Sequence, residues 1–343
     1  MIVLCHDTAL EAYRSKELVT LALARIRAGD LAERADDLEV PPSERIRALA
    51  ERYDLSLPLH ILAPFDAARR STKAMRCHAW SSNIPGEALL LLDDDVYLSM
   101  PAFLFQQLSA RSDFENRFML GSELLGSYAL CAGAPGGIIQ RPKLATRAGI
   151  LEFLESHPGT HGSRQALDTA KYLLEGARSP KEAEIAALYS LPRKMGGRGI
   201  AELEMDRRIE LTPEASVVAR RRYLVCDHFL RIEGRDHEYD SDDWHLTRHM
   251  HEKDIRRENA LGLMGVKLTI MTNGQLHDWD TFDAIAQHLA ADNDAAFRGR
   301  TELTRTKQQR LWERLLFGTR RGGKTVFDGS RIEASRSRRA GSR

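Results

Sequence analysis

Three carboxylates lie close together in the second half of the chain, next to residues that resemble a core strand. Asp227 lies within the apolar run RYLVCDHFLRI (222–232), and Glu238 and Asp240 follow it after a turn at Gly234. Alternation along this run places largely apolar residues on both of its faces, which is typical of a central strand. A carboxylate in such a strand needs a partner. These carboxylates therefore either belong to a solvated turn or share a cation.

The second alternative implies a specific chemistry. Mg²⁺ prefers oxygen ligands in near-octahedral geometry, and it usually takes one or two carboxylates together with waters and substrate phosphates. Two adjacent strands joined by a turn can offer Asp227 and Glu238 to one ion. An ion held there can activate water and neutralise the charge of a phosphodiester during in-line attack. The spacing is therefore compatible with a Mg²⁺ or Mn²⁺ site for phosphodiester hydrolysis.

Helices and strands alternate around these carboxylates. A helix is predicted over 179–191, where Ser179 and Pro180 form a helix start, and a polar, glycine-containing connection follows it. Further predicted elements are the strand 222–232, a strand around Glu238, a helix over 251–265, a strand over 266–272 and a helix over 281–290. This order predicts an α/β core. The polar residues at 235–237 predict that the strand carrying Glu238 is short or exposed.

This ordered set of residues resembles the PD-(D/E)XK restriction-endonuclease-like superfamily, and within it the very-short-patch-repair-like branch of small bacterial endonuclease domains. The pattern of that branch, D…E-x-D-[GS]…H…D-x-x-R-x-x-x-L-x-x-x-G, is matched by Asp227, Glu238, Asp240, Ser241, His245, Asp254, Arg257, Leu261 and Gly265. The likeness covers about residues 177–292. It implies a restriction-endonuclease-like mixed sheet flanked by helices, Mg²⁺-dependent cleavage of DNA, and Asp227 and Glu238 as the principal metal ligands.

Three further residues receive site roles from the resemblance. Glu182 matches the upstream helix glutamate that the family brings to its site, although Ser179 and Glu182 also have the spacing of a capping box. Asp240 stands where the superfamily has its signature lysine, so the group that activates water is open and a decayed, inactive site is an alternative. His245 matches the family histidine and is a candidate acid or base, whereas a zinc site with His249 and His251 would need ligands that converge.

Basic residues downstream supply candidate contacts to phosphate. Asp254, Arg257 and Leu261 share one helical face, where Arg257 either pairs with Asp254 to hold the helix on the sheet or contacts DNA. Arg256 and Lys267 are the other two candidates for nucleic-acid binding, and Lys267 is also a possible substitute for the missing lysine.

The rest of the chain suggests two flanking regions. Residues 1–176 have the mixed pattern of an α+β region and resemble the abortive-infection type IV antitoxin family through PLHILAPFDAARRSTKAMRCHAW and the apolar segments after it. A protein partner of this region is therefore possible, and a basic cluster at 69–76 is either a DNA contact or a solvated face. Residues 293–343 are predicted to form a helix and then a basic tail with eight Lys/Arg and two acidic residues from Gly318 onward.

Bulk properties narrow the class of protein. The formal charge is +1, and the four cysteines show no metal-type or disulfide spacing, which suits reduced thiols in the cytoplasm. A membrane protein is not expected, because no long apolar window occurs. The leading prediction is a cytoplasmic, metal-dependent DNA endonuclease. The alternative is an inactive nuclease-fold protein that binds DNA or acts as an antitoxin-like regulator.

Overall fold

A computed structural model describes residues 1–32, 38–64, 71–80, 82–240, 248–293 and 300–318. The chain divides into two compact units, one formed by Met1–Leu173 and the other beginning at Leu174. Both units combine helices with β-sheets, which confirms the mixed α/β class. Among the described residues, no helix has both the length and the apolar character needed to cross a membrane.

The first unit contains seven helices and seven strands within its described ranges. In chain order they are β1 (Ile2–Leu4), α1 (His6–Arg14), α2 (Lys16–Ala28), α3 (Ser43–Arg52), β2 (Leu59–Ala63), β3 (Met75–Ala79), β4 (Leu89–Asp93), β5 (Val96–Ser99), α4 (Pro101–Ser109), α5 (Phe114–Leu125), β6 (Tyr128–Leu130), β7 (Ile138–Gln140), α6 (Arg147–Ser156) and α7 (Ser163–Ala170).

A five-stranded sheet with the order β3-β2-β1-β5-β4 forms the centre of the first unit. Strand β1 is parallel to β5 and antiparallel to β2, and β2 is parallel to β3. The short apolar runs IVL and LHILA are fully buried, which explains why they form β1 and β2. Strands β6 and β7 form a separate two-stranded sheet.

Apolar spacing in the first half of the chain predicts a long, mostly helical stretch over 103–130 and a helix over 167–176. The first stretch is mostly helical, but it consists of two helices followed by a strand, because Asp113 accepts a hydrogen bond from Asn116 N (2.9 Å) and thereby starts a new helix, α5. The helix predicted over 167–176 ends at Ala170, and the chain continues in short turns up to Gly176, whose φ is +103°. Apolar spacing alone does not reveal such breaks.

The second unit contains six helices and four strands within its described ranges. They are α8 (Pro180–Ser190), β8 (Leu203–Glu210), α9 (Pro213–Ala219), β9 (Tyr223–Leu230), β10 (Arg235–Asp240), α10 (Arg248–Leu263), β11 (Lys267–Thr272), α11 (Asn273–His277), α12 (Trp279–Asn293) and α13 (Glu302–Phe317).

One mixed sheet with the order β11-β10-β9-β8 organises the second unit. Strand β9 is antiparallel to both β8 and β10, whereas β11 runs parallel to β10 after the crossover through α10. Helices α9 and α10 cover the sheet through a small core that contains Leu224, Ala260 and Leu261. Strand β9 is therefore central, as its apolar pattern predicts.

Buried polar contacts attach α8 to this sheet. His228 Nε2 lies 2.9 Å from the backbone oxygen of Glu182, and the Tyr189 hydroxyl lies 3.0 Å from His237 Nε2. Burial lowers the pKa of both histidines, so their rings are neutral. These contacts fix the first turn of α8, and with it Glu182, beside β9.

Strand β10 corrects the expectation of a short or exposed strand. Arg235, Asp236 and His237 are all buried. Each polar side chain has a partner, because Arg235 binds Asp292 (3.0 Å), Asp236 binds Arg257 (2.8 Å) and His237 contacts Tyr189. Polar residues thus occupy this buried strand because each has a tertiary partner, although Arg235 Nε, Asp236 Oδ1 and His237 Nδ1 have no hydrogen-bond partner among the described residues.

Helix α13 belongs to the second unit. Trp312 Nε1 donates to the backbone oxygen of Leu276 (2.9 Å), and the buried Arg198 binds both Asp283 of α12 (2.6 Å) and Gln308 of α13 (3.0 Å). The helix predicted after residue 293 is therefore part of the second unit, and it does not form a separate region after it. The predicted basic tail lies outside the described residues.

Candidate functional site

Glu182 lies in the first turn of α8 and has a double role. Ser179 Oγ accepts a hydrogen bond from Glu182 N (3.2 Å), while the Glu182 carboxylate accepts from Ser179 Oγ (3.0 Å) and Arg178 N (2.8 Å). The side chain therefore caps the helix and also faces the strand carboxylates. Burial, followed by the charge of Asp227, raises the pKa of Glu182 to about 7.

At Asp227 the regular pairing of β9 with its two neighbouring strands, β8 and β10, is interrupted. On one side, β8 pairs with β9 through Met205↔His228 and Arg207↔Cys226. These two pairs place Asp206 of β8 opposite Asp227 of β9. On the other side, the pairing of β9 with β10 ends at His237↔His228, one residue before Glu238. Tyr239 N then donates to the Asp227 carboxylate (3.2 Å) instead of to a strand carbonyl. Asp206, Asp227 and Glu238 thus form one row across three strands.

Arg178 binds the carboxylates at one end of this site. Its guanidinium donates to Asp227 and lies 3.7 Å from Asp206 and 3.9 Å from Glu182. The backbone at Asp206 has a φ of +52°, a left-handed conformation that is uncommon for residues other than glycine. Burial raises the pKa of Asp206, and the charge of Asp227 adds to this effect.

Arg257 binds the carboxylates at the other end. From α10 it donates to Asp236, to Glu238 and to the backbone oxygen of Val225. Burial is the largest cause that raises the pKa of Glu238 to about 9, followed by the charge of Asp236. Burial also raises the pKa of Asp236, which shares a hydrogen bond with Glu238. One guanidinium does not fully compensate two buried carboxylates, so this pair retains a proton near neutral pH.

The whole site therefore has a surplus of negative groups. Five carboxyls share two guanidiniums: Glu182, Asp206, Asp227, Asp236 and Glu238 with Arg178 and Arg257. Raised pKa values are the expected result of such crowding. A divalent cation would reverse this effect, because it favours the ionised form of each carboxyl that it binds.

In this structure the carboxylates bind arginine side chains, and their oxygens do not converge on one point where an ion could lie. Within the described parts of the chain, the one group of three or more Cys, His, Asp or Glu whose ligand atoms all lie within 4.8 Å of one another is Cys5, His6 and His78 in the first unit. Glu182, Asp227 and Glu238 do not form such a group. Binding of one ion by the carboxylates thus requires both guanidiniums to move.

The remaining predicted site residues have different placements. Asp240 is the exposed last residue of β10. His245 lies outside the described residues, so the structure gives no position for the candidate acid or base. Arg257, a predicted phosphate ligand, binds strand carboxylates, and the pair that we expected with Asp254 is replaced by the pairs with Asp236 and Glu238.

The other two predicted phosphate ligands lie at the surface. Arg256 pairs with Glu252 and lines a small groove with further basic side chains, Arg220, Arg221 and Lys253. Lys267 is exposed at the start of β11 and pairs in register with Arg235, whereas Glu238 pairs with Ile270. Lys267 is therefore about 10 Å along the sheet from Glu238, given the rise of a strand. It is too far along β11 to replace the missing lysine in this arrangement.

Sequence reasoning missed several residues of the site. Arg178 directly precedes the Ser179 cap, but only the fold brings it to Asp227, 49 positions away. Asp206 lies in β8, which was not predicted, because the segment LEMDRRIE has four charged residues within its last five positions and no strict alternation. Asp236 is one of the polar residues from which we predicted a short or exposed strand, although it is 0% exposed and shares Arg257 with Glu238.

We expect Glu182→Gln to remove one pH-dependent part of the protein's stability. The folded chain holds the Glu182 proton more tightly than the unfolded chain, with a pKa of about 7 against an ordinary 4.5. This contribution is complete below about pH 4.5 and is lost as the pH rises through about 7. One pKa unit corresponds to about 1.4 kcal/mol, so the unfolding free energy of the variant minus that of wild type should increase by roughly 3 kcal/mol between pH 4 and pH 8.

Urea unfolding of both proteins between pH 4 and 8 measures this difference. Glu210→Gln is the matched control, because Glu210 is exposed at the end of β8. A difference between Glu182→Gln and wild type that is the same at every pH would contradict the assigned environment of Glu182.

Comparisons with known proteins identify no relative of this chain. No family model, curated protein or solved structure matches it. The carboxylates and arginines of the second unit are therefore the main indication of a function.

Proposed function

We propose that the second unit is a metal-dependent nuclease domain that hydrolyses DNA phosphodiesters with Mg²⁺ or Mn²⁺. The observation that carries the proposal is the position of Asp227 between Glu182 and Glu238, in a site where carboxyls outnumber guanidiniums. Four of the five carboxyls are buried or partly buried, and only Asp206 is exposed. Such an excess of negative groups away from water is unfavourable without a cation. Perturbed pKa values of this kind are common at functional sites.

The fold supports the proposal. A mixed sheet with α8 before it and α10 between β10 and β11 is compatible with the restriction-endonuclease-like fold that the sequence resemblance implies. The proposed ligands lie on neighbouring central strands, which are rigid elements and therefore suitable for holding an ion. Glu182 reaches the same row from the first turn of α8.

The proposed chemistry assigns separate roles to these residues. Asp227 and Glu238 would bind the ion, and Glu182 would support Asp227 from the side of α8. The ion would supply an activated water and neutralise the phosphate during in-line attack. Arg178 and Arg257, once displaced from the carboxylates, could donate to phosphate oxygens, for which guanidinium has a suitable geometry.

DNA would approach over basic surface residues. Arg220 and Arg221 follow α9, and Lys253 and Arg256 extend from α10 into the same groove. Such a cluster would contact the phosphate backbone without reading sequence. Its contribution to binding should fall steeply with added salt.

Nicking of supercoiled plasmid tests the proposal. The full chain, freed of metal with a chelator, should nick plasmid only after Mg²⁺ or Mn²⁺ is restored. Asp227→Asn, purified in parallel, should show no more than background nicking and so controls for contaminating nucleases. Equal nicking by wild type and Asp227→Asn, or none by wild type, would reject a catalytic site at Asp227.

A second candidate function follows from the arginines. Arg178 and Arg257 already occupy the carboxylates, as expected if the nuclease site has lost its ion and the protein acts as a DNA-binding or antitoxin-like regulator. This alternative would give salt-dependent DNA binding with no cleavage in either metal. The plasmid assay combined with a binding assay separates the two functions.

A further inference from the structure

A group of Cys and His side chains lies in the first unit and is independent of the proposed nuclease function. Cys5 follows β1, His6 begins α1, and His78 lies in β3. All three side chains are buried, with 0%, 4% and 6% of their surface exposed. Their ligand atoms all lie within 4.8 Å of one another.

We propose that Cys5, His6 and His78 form a binding site for a borderline-soft divalent cation of the Zn²⁺ class. Thiolate and imidazole are the ligands that Zn²⁺ prefers, at Zn–S and Zn–N distances that place neighbouring ligands ~3.5 Å apart in a tetrahedron. Cys5 Sγ lies 3.1 Å from His6 Nδ1, so a small movement of either side chain is enough to reach the spacing of two zinc ligands. Three protein ligands leave a fourth position for water or another small ligand.

The hydrogen bonds around His78 define which nitrogen faces the cation. Arg111 lies 2.9 Å from His78 Nδ1 and can only donate, so Nδ1 carries the lone pair. The proton is then on Nε2, which lies 3.1 Å from His60 Nδ1. A metal that replaced Arg111 at Nδ1 would leave the contact with His60 intact. Ligating histidines commonly donate their other N–H to such a partner, and His60 would position the ring.

Two other features fit this assignment, and a third shows what must move when a metal binds. Burial lowers the pKa of His6 and brings that of His78 to about 3, so both rings are neutral and have a lone pair for a metal. The rings of His6 and His78 are stacked, with centroids 3.7 Å apart, so one ring must turn about its side-chain bonds before both lone pairs can reach one ion. His6 also has a φ of +48°, a conformation that is costly for a residue other than glycine and is often retained at functional sites.

The guanidinium of Arg111 places a positive charge beside His78 Nδ1, where the proposed metal would bind. Its side chain donates to the site but the residue is exposed overall, so the guanidinium can leave to solvent when a metal enters. Binding would convert the Cys5 thiol to a thiolate and release its proton to solvent. The two Cys-His dipeptides, at 5–6 and 77–78, are the sequence signal for this site, although Cys77 is not among the ligands.

Titration of the metal-free full chain with Co²⁺ tests the proposal, because a cobalt thiolate absorbs in the near ultraviolet and tetrahedral cobalt absorbs in the visible range. Wild type should show both absorptions and lose them when Zn²⁺ is added. Cys5→Ser should abolish the thiolate band, and His78→Gln should weaken binding at least ~100-fold, whereas His60→Gln should cost about tenfold. Cys131→Ser and His157→Gln, two residues of the same unit, are the matched controls and should bind as wild type does.

Two outcomes would overturn the site: no thiolate band in wild type, or an unchanged band in Cys5→Ser. If Cys5→Ser fails to fold, as judged by circular dichroism, Arg111→Met decides. Removal of the competing positive charge at this exposed residue should tighten Co²⁺ binding by about tenfold. Unchanged or weaker binding by Arg111→Met would reject the proposal.

Discussion

Asp227→Asn should lower Mg²⁺-dependent plasmid nicking by about 10³-fold and leave the chain folded. A metal ion supplies several kcal/mol of transition-state stabilisation, and ~4 kcal/mol corresponds to about three powers of ten in rate. Asparagine retains an acceptor oxygen for Arg178 or Tyr239 N. It also removes a charge that raises the pKa of Glu182, so the unfolding free energy should stay within about 1 kcal/mol of wild type.

Asp206→Asn is the matched control for this prediction. It also removes one carboxylate from Arg178, and asparagine tolerates the left-handed backbone at this position. Because Asp206 is not a proposed ligand, the variant should keep most of the cleavage activity. An Asp227→Asn protein that unfolds, while Asp206→Asn does not, would instead assign Asp227 a structural role.

Arg257→Met should destabilise the protein by about 3 kcal/mol at pH 8. Removal of one partner from a buried ion pair leaves an uncompensated charge, which typically costs 3–5 kcal/mol, and the partial exposure of Arg257 places the value at the lower end. Without the guanidinium, the pKa values of Asp236 and Glu238 should rise further. The loss should therefore be smaller at pH 5, where both carboxyls can take up protons.

The neighbouring Arg256→Met variant is the comparison for this measurement. Arg256 pairs with Glu252 at the surface of the same helix, and such pairs contribute 0–1 kcal/mol. Urea unfolding of the two variants at pH 5 and pH 8 gives the four values needed. Equal losses in the two variants, or a loss for Arg257→Met that does not depend on pH, would contradict the buried triad of Arg257, Asp236 and Glu238.

Local signals predicted the elements that carry the carboxylates. The Ser179-Pro180 start gave α8, and the apolar run around Asp227 gave β9 as a central strand. Strand β8 was missed, because few of its residues are buried and its charged side chains face solvent. Breaks such as the one at Asp113 depend on a single capping residue, which apolar spacing does not register.

The candidate site could also be predicted only in part, but the reason differs from the one that applies to the helices and strands. Carboxylates next to an apolar strand are visible in the sequence, whereas their neutralisation by Arg178 and Arg257 depends on contacts between distant segments. The Cys5, His6 and His78 group likewise has no local spacing, since β1 and β3 must lie in one sheet before the side chains meet. Residue type thus predicted the chemistry but not the partners.

The location of Mn²⁺ in crystals of the full chain, found by its anomalous scattering, tests the central claim most directly. We predict a peak within roughly 2.2 Å of oxygens of both Asp227 and Glu238, with Arg178 and Arg257 turned away from them. Absence of a peak at these carboxylates, with both guanidiniums still bound to them in excess Mn²⁺, would contradict the nuclease proposal.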